Sequence, residues 1–352
     1  MYRHFKRISI TLVILFVSAL CIIYFCPKQP LLGNVSFSQA VYDDHDHLLR
    51  LTLSRDEKYR LYVPLSHISP LLIRATLLQE DQYFRRHFGL NPFSIVKAGW
   101  QTYVLKTRRV GASTITMQLA RIQYGINSKK LSGKIWQIIR ASQYEMHYSK
   151  DQILEAYLNL APYGNNIEGV GAASLIYFGK PVKSLSLPEA LTLSVIPQNP
   201  TRRTPQQKKL LEIRNKLYAR WIMQFPQDKN KNAMINLPLQ MQTAHALPFI
   251  APHFVNSILR ENLASQQEMK TTLDIHLQKI IERTTKIYLA RKKNVGAYNA
   301  AILLVDTRDM SVKALVGSSD FFNPAIQGQI NGTQTQRSPG STLKPFIYGK
   351  IG

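Results

Sequence analysis

Hydrophobic positions along the chain fall into three textures. The first is a single block. Residues Ile8 to Cys26 run for 19 positions without a formal charge and are dominated by Ile, Leu, Val, Phe and Ala. A helix of that length just spans a hydrocarbon core. The residues before it carry Arg3, Lys6 and Arg7 and no acid, which predicts a cytoplasmic N-terminus and an exported remainder. A cleaved signal peptide is the other reading of such a block, but its apolar region is usually shorter and no A-x-A site precedes Pro27. The expectation is a cytoplasmic tail over 1–7 and an uncleaved anchor over 8–26.

The second texture is helical. After a connector over 27–60 with strand-like runs at Val35–Val41, Leu48–Leu53 and Tyr59–Val63, apolar residues recur at three and four positions from Ile68 to Glu80. Helices are also predicted over Ser113–Gln123, Lys134–Tyr148, Lys150–Leu160, Gly169–Phe178, Pro188–Ile196 and Gln206–Gln224. Ser113, Ser149 and Ser186 are candidate N-caps, the last ahead of Pro188 and Glu189. Residues 226–270 are rich in Pro, Gln and Asn with weak periodicity and read as a linker. The third texture begins at Thr271, with a helix over Ile275–Leu289. Two β-rich runs follow, Ala300–Asp306 and Val312–Val316, spaced as a hairpin.

Charge narrows the partner. Lys and Arg number 45 against 21 Asp and Glu, a formal charge of +24. Such an excess points to an anionic partner, or simply to a solvated surface. Export makes nucleic acid an unsuitable candidate and leaves anionic membrane lipids and phosphorylated substrates. The two cysteines, Cys21 and Cys26, both lie in the apolar block, so no disulfide framework is expected, and no Cys/His cluster suggests a metal site.

Three clusters carry candidate chemistry. Glu80-Asp81-Gln-Tyr-Phe84-Arg-Arg-His87-Phe-Gly89 closes an apolar helix with two carboxylates. Desolvation there can raise a carboxyl pKa as a general base requires, although an acidic pair at a solvated helix end is the simpler reading. In Gly111-Ala-Ser113-Thr114-Ile-Thr-Met-Gln118-Leu-Ala-Arg121, a capped helix presents Thr114, Gln118 and Arg121 on one face, suited to a phosphate or sugar; an ordinary amphipathic helix has the same pattern. Ser341-Thr-Leu-Lys344 puts a hydroxyl and an amine one helical turn apart, which suits acyl transfer but is common by chance.

Taken together, these motifs resemble the glycosyltransferase family 51 module of bifunctional class A penicillin-binding proteins. The Glu80–Gly89 and Gly111–Arg121 stretches are similar to its first and second motifs. Ser149-Lys150-Asp-Gln-Ile-Leu-Glu155-Ala-Tyr157-Leu-Asn159, followed by 169–179, is similar to its fourth, and Leu185–Ala190 with Pro197-Gln-Asn-Pro200 to its fifth. The resemblance implies a mainly α, lysozyme-like glycosyltransferase domain over 61–225. That domain would be preceded by one transmembrane helix and followed, over 271–352, by an incomplete α/β transpeptidase domain of β-lactamase-like fold.

It also implies polymerisation of lipid II into a growing β-1,4 glycan strand at the outer face of the bacterial cytoplasmic membrane, with membrane lipids and other cell-wall synthesis proteins as candidate partners. Glu80 would be the general base, and Asp81 would orient it or touch sugar. Phe84 and His87 would shape the acceptor site. Ser113, Thr114, Gln118, Arg121 and Lys134 would serve the donor sugar and pyrophosphate. Ser341 and Lys344 would be transpeptidase nucleophile and base. Because the remaining motifs of that second site do not occur before Gly352, no acylation by β-lactams is expected.

The third motif departs from the family. Lys134 is kept, but Gly133 stands at the position of an arginine and Gln137 at that of a second catalytic glutamate. An amide cannot take a proton or bind a divalent cation strongly, so a metal cofactor is in doubt and no metal ligand is assigned. Arg140, one turn beyond Gln137, is the expected substitute charge. A non-catalytic remnant or scaffold that binds lipid II, and a lysozyme-like hydrolase, are the competing readings.

Overall fold

The computed structural model describes residues 11, 18, 21–91, 113–203, 207–261, 267–336, 338–344 and 348. Gly111, Ala112 and most of the expected anchor lie outside them; of the anchor, residues 21–25 are described as helix. Among the described residues no helix is long and apolar enough to cross a membrane.

The chain divides into two compact units. The first holds the N-terminal segment to Ser38 and residues 52–247; the second holds 39–51 and 248–352. The breaks therefore differ from those expected at 60, 225 and 270. Part of the connector belongs to the second unit, and most of the presumed linker is structured.

The first unit is helical. Its helices are α1 (Pro70–Glu80), α2 (Ile115–Tyr124), α3 (Leu131–His147), α4 (Lys150–Leu160), α5 (Val170–Phe178), α6 (Leu187–Val195), α7 (Lys208–Gln224) and the short α8 (Asn232–Asn236). Every residue of α6 is buried, its polar Glu189, Thr192 and Ser194 included. α1 and α7 pack on it, and the hydroxyls of Thr192 and Ser194 are satisfied by the carbonyls of Pro188 and Leu191. Ser149 and Ser186 cap α4 and α6 in reciprocal capping boxes with Gln152 and Glu189. At α2 the cap falls one residue later than expected. Thr114, not Ser113, is extended and accepts from the Met117 N–H at 3.2 Å.

The expected strand at Tyr59–Val63 makes only an isolated bridge to Ile167. Side chains satisfy much of this segment instead. The Val63 N–H donates to Asn159 Oδ1 (2.8 Å), its carbonyl accepts from Asn159 Nδ2 (2.8 Å), and the Leu65 N–H donates to Glu155 Oε2 (2.7 Å). A side chain at Gly171 would sit 2.5 Å from the Leu61 carbonyl, so α5 approaches this segment as closely as a glycine allows. A small hairpin, β3 (Pro162–Gly164) with β4 (Ile167–Glu168), joins α4 to α5.

In the second unit, β1 (Ala40–Tyr42) lies between antiparallel β2 (Leu48–Leu51) and parallel β5 (Glu268–Lys270). Val41, Leu49, Phe254, Val255, Met269, Leu273, Ile275 and Leu315 form its core. They come from the sheet, from α9 (Pro252–Glu261), from α10 (Ile275–Lys292) and from β7 (Val312–Val316), which pairs antiparallel with β6 (Ile302–Val305) as the hairpin spacing predicts. α9 lies in the stretch read as a linker. On β6, Leu303 and Leu304 are both exposed although successive residues face opposite sides.

Candidate active site

Glu80 is the last residue of α1, and the helix end delivers its carboxylate into a mostly buried setting. Oε2 accepts from Gln118 Nε2 at 2.8 Å, and Gln118 Oε1 in turn accepts from the Tyr157 hydroxyl at 3.4 Å. Oε1 is buried with no hydrogen-bond partner. Burial pushes the Glu80 carboxyl above the ordinary glutamate range. The amides of Gln118 and Gln198 and the charges of Arg203 and Arg121 pull it down in part. Burial, with Glu80 nearby, likewise pushes the hydroxyls of Tyr157 and Tyr163 up. A carboxylate of raised pKa with one oxygen free of protein partners is equipped to accept a proton from a bound hydroxyl.

Asp81 is fully engaged. Its oxygens lie 2.9 and 3.0 Å from His87 Nε2, and Oδ2 also accepts the Ile115 N–H at 3.1 Å. It therefore ties the loop after α1 to the first turn of α2, where a carboxylate complements the helix dipole. Thr114 reinforces the tie by donating to the Gly89 carbonyl at 2.6 Å. Phe84 is 1% exposed, and the Lys150 ammonium lies 4.5 Å from its ring centroid while donating to the His87 carbonyl and to Glu145 Oε1. As placed, Asp81, Phe84 and His87 hold the loop together, and Phe84 faces the protein interior.

Lys134, on the first turns of α3, donates to Ser113 Oγ at 2.8 Å and lies 3.4 Å from Gln137 Oε1. Burial, and then the like charge of Arg121, pull the ammonium below the ordinary lysine range. Arg121 thus acts electrostatically on both Glu80 and Lys134. Gln137 is 1% exposed, and its Nε2 has no partner.

Arg140 is placed differently from expectation. It donates to the Pro27 carbonyl (2.7 Å) and Gln143 Oε1 (2.8 Å), and its guanidinium lies 4.5 Å from the Tyr124 ring centroid. It secures the segment that follows the apolar block, and the cations acting on Glu80 are Arg203 and Arg121. Gln198 and Arg203 were not singled out from the sequence. Gln198 sits inside the Pro197–Pro200 motif, whose polar position was the available signal. Arg203 donates to Gln198 Oε1 at 3.1 Å and is one of two adjacent arginines with no pattern to distinguish it. Ser341 and Lys344 lie in the second unit, both exposed, on and just after a 3-10 turn at Gly340–Leu343.

The site thus joins a helix-end glutamate, a capped second helix and a lysine on a third. Residues 46–223 match the family described as Transglycosylase, and the chain belongs to that family. Among individual proteins, it is 36% identical to penicillin-binding protein 1C of Escherichia coli K12 over 302 residues, 84% of this chain and 38% of the relative. It is 33% identical to penicillin-binding protein 2D of Bacillus subtilis 168 over 309 residues, 83% of this chain and 44% of the relative. The chain thus spans well under half the length of these relatives. A crystal structure of penicillin-binding protein 1A from Haemophilus influenzae superposes on 78% of this chain and 32% of its own, with 17% identity and a TM-score of 0.33.

Proposed function

We propose that the chain is a peptidoglycan glycosyltransferase that polymerises lipid II into β-1,4 glycan strands through a lysozyme-like domain. The acceptor sugar 4-hydroxyl attacks the anomeric carbon of the donor, and its proton passes to Glu80 Oε1. The anomeric carbon–oxygen bond breaks with inversion, and its electron pair leaves on undecaprenyl pyrophosphate. Arg121 and Lys134 stabilise the charge that develops there, the largest contribution expected in such a step. Gln118 and Tyr157 hold the base, and Asp81, Thr114 and His87 hold the two helices that carry it.

The observation that carries this reading is the Glu80 carboxylate, buried, raised in pKa, hydrogen-bonded on one oxygen and unpartnered on the other. Membrane attachment through 8–26, with the domain on the periplasmic side, agrees with the way α3 grips the last residues of that block and the residue after it. Gln143 Nε2 donates to the carbonyls of Ile23 and Cys26, Arg140 to that of Pro27, and Tyr24 stacks on His147. Membrane lipids and other cell-wall synthesis proteins are its proposed surroundings. Residues 271–352 correspond to the N-terminal portion of a penicillin-binding transpeptidase domain, with Ser341 and Lys344 at its nucleophile and base positions.

The test is incubation of the full chain with labelled lipid II. Polymer that disappears with moenomycin supports polymerisation. Binding of lipid II without polymer supports the scaffold reading, and cleavage of preformed glycan supports a hydrolase.

A further inference from the structure

Among the described residues, Lys134 makes no ion pair with a carboxylate; its partners are neutral. Lys134, Ser113 and Gln137 are gathered within hydrogen-bonding reach, and Arg121 adds a second positive charge felt by Lys134. Gln137 is nearly inaccessible and offers a donor, Nε2, with no acceptor. The family resemblance implies a carboxylate at this position and a divalent cation held by it. The residues present do not fit one. Hard divalent cations take several oxygen ligands, usually carboxylates. Here the groups are an ammonium, a hydroxyl, an orphaned N–H and an amide oxygen that already faces Lys134. Among the described residues, the group of His and carboxylate side chains close enough to share a cation is Asp43, Asp44 and His45, and it belongs to the second unit. Lys134 and Arg121 are left as two cations whose charge an anion can complement.

We infer that this chain stabilises the departing pyrophosphate with fixed side-chain cations and no divalent metal, and that Gln137 is the positioning residue that makes this possible. Its Oε1 steers the Lys134 ammonium without cancelling its charge, where a carboxylate would both neutralise the ammonium and create a ligand for a metal. The inference rests on the glycosyl transfer proposed above. The bond changes are unaltered: the anomeric carbon–oxygen bond breaks toward the pyrophosphate, and the acceptor proton still goes to Glu80.

The experiment uses the full chain, stripped of metals, as wild type and as Gln137→Glu. Initial polymerisation rates are measured in EDTA and across a Mg2+ titration, together with the alkaline limb of the pH profile. Mn2+ binding is measured separately by electron paramagnetic resonance. The wild-type rate is expected to change by no more than about twofold between EDTA and saturating Mg2+, whereas Gln137→Glu should be stimulated about tenfold or more. The added carboxylate should also raise the Lys134 pKa, moving the alkaline limb to higher pH. That limb would not move if Gln137 were merely packing.

Loss of wild-type activity in EDTA with recovery in Mg2+ overturns the inference. So does a Gln137→Glu chain whose metal response and alkaline limb match wild type. If neither chain makes polymer, the proposed activity fails, but the Mn2+ titration still decides this point. Tighter binding by Gln137→Glu than by wild type supports it, and equal binding overturns it. The common contribution of Asp43, Asp44 and His45 cancels in that comparison. Should Gln137→Glu fail to fold, Gln137→Met keeps the volume and removes the amide. A rate loss that Mg2+ cannot restore supports the inference, and restoration by Mg2+ overturns it.

Discussion

Glu80 sits where charge is expensive, and on the proposed reading this cost equips it as a base. Its raised pKa means that the folded chain holds the proton more tightly than the unfolded one. The ionised carboxylate therefore lowers stability at pH above the ordinary glutamate range, and the penalty disappears as pH falls below it. Glu80→Gln should accordingly raise the melting temperature at pH 7 relative to wild type and leave it nearly unchanged at about pH 4. Thermal scans at the two pH values check this, and a lower melting temperature at pH 7 would contradict it. Gln118 acts in the opposite direction, since its amide stabilises the ionised form. Gln118→Leu should move the acidic limb of the pH–rate profile to higher pH, because the base then keeps its proton further up the scale. An unchanged limb would show that Gln118 does not hold Glu80 during turnover.

Whole elements are locked to one another by side chains that the motifs place at fixed intervals. Glu155 and Asn159 lie one turn apart on α4, and together they satisfy the backbone of Val63 and Leu65 and the Tyr62 hydroxyl. Asn159→Ala strands the half-buried Val63 N–H and carbonyl, each costing up to about 1–3 kcal/mol when left unpaired away from water. Ser149→Ala removes a helix cap worth about 1 kcal/mol. Chemical denaturation should therefore rank Asn159→Ala as the more damaging, and the reverse order would mean that the α4 clamp contributes little.

This arrangement also explains what the sequence could and could not reveal. Helices α1 to α7 were legible from their helical apolar period, whereas the short α8 lies in the stretch read as a linker; two caps were legible because Ser precedes Gln or Glu by three residues. The Tyr59–Val63 segment alternates like a strand, yet its hydrogen bonds go to distant side chains, which no local pattern shows. α9 has apolar residues at Phe254, Val255, Ile258 and Leu259, but ten residues between Pro- and Gln-rich stretches gave too short a window. Within the candidate site, Glu80, Gln118 and Lys134 were legible from their motifs. The inward commitment of Asp81 and Phe84, the use of Arg140 on Pro27 and the presence of Arg203 depend on tertiary approach.

At the scale of the whole molecule, the two units differ in how completely they bury their own apolar surface. α5 and α6 are almost wholly enclosed, whereas β6 exposes both Leu303 and Leu304 and α10 exposes Ile280, Ile287 and Tyr288. Local opening is easiest where few apolar contacts must be broken. Amide hydrogen exchange should therefore be slowest in α5 and α6 and markedly faster in β6 and α10; protection of β6 equal to that of α6 would contradict this. The parallel pairing of β1 with β5 could not be read from the sequence, because the two strands lie far apart along the chain. Within the charge of +24, which alone suggested any anionic partner, Arg121 and Lys134 stand out as cations in the neighbourhood of the buried Glu80.

The proposed function has Glu80 drive transfer from a lipid pyrophosphate donor. It is tested most directly by the initial rate of labelled lipid II polymerisation, measured for the full chain as wild type and as Glu80→Gln. Moenomycin-sensitive polymer from wild type, with a rate lower by about 10²–10⁴-fold in the variant, is the predicted result. Polymer made equally fast by Glu80→Gln, or no polymer from wild type, would contradict the account.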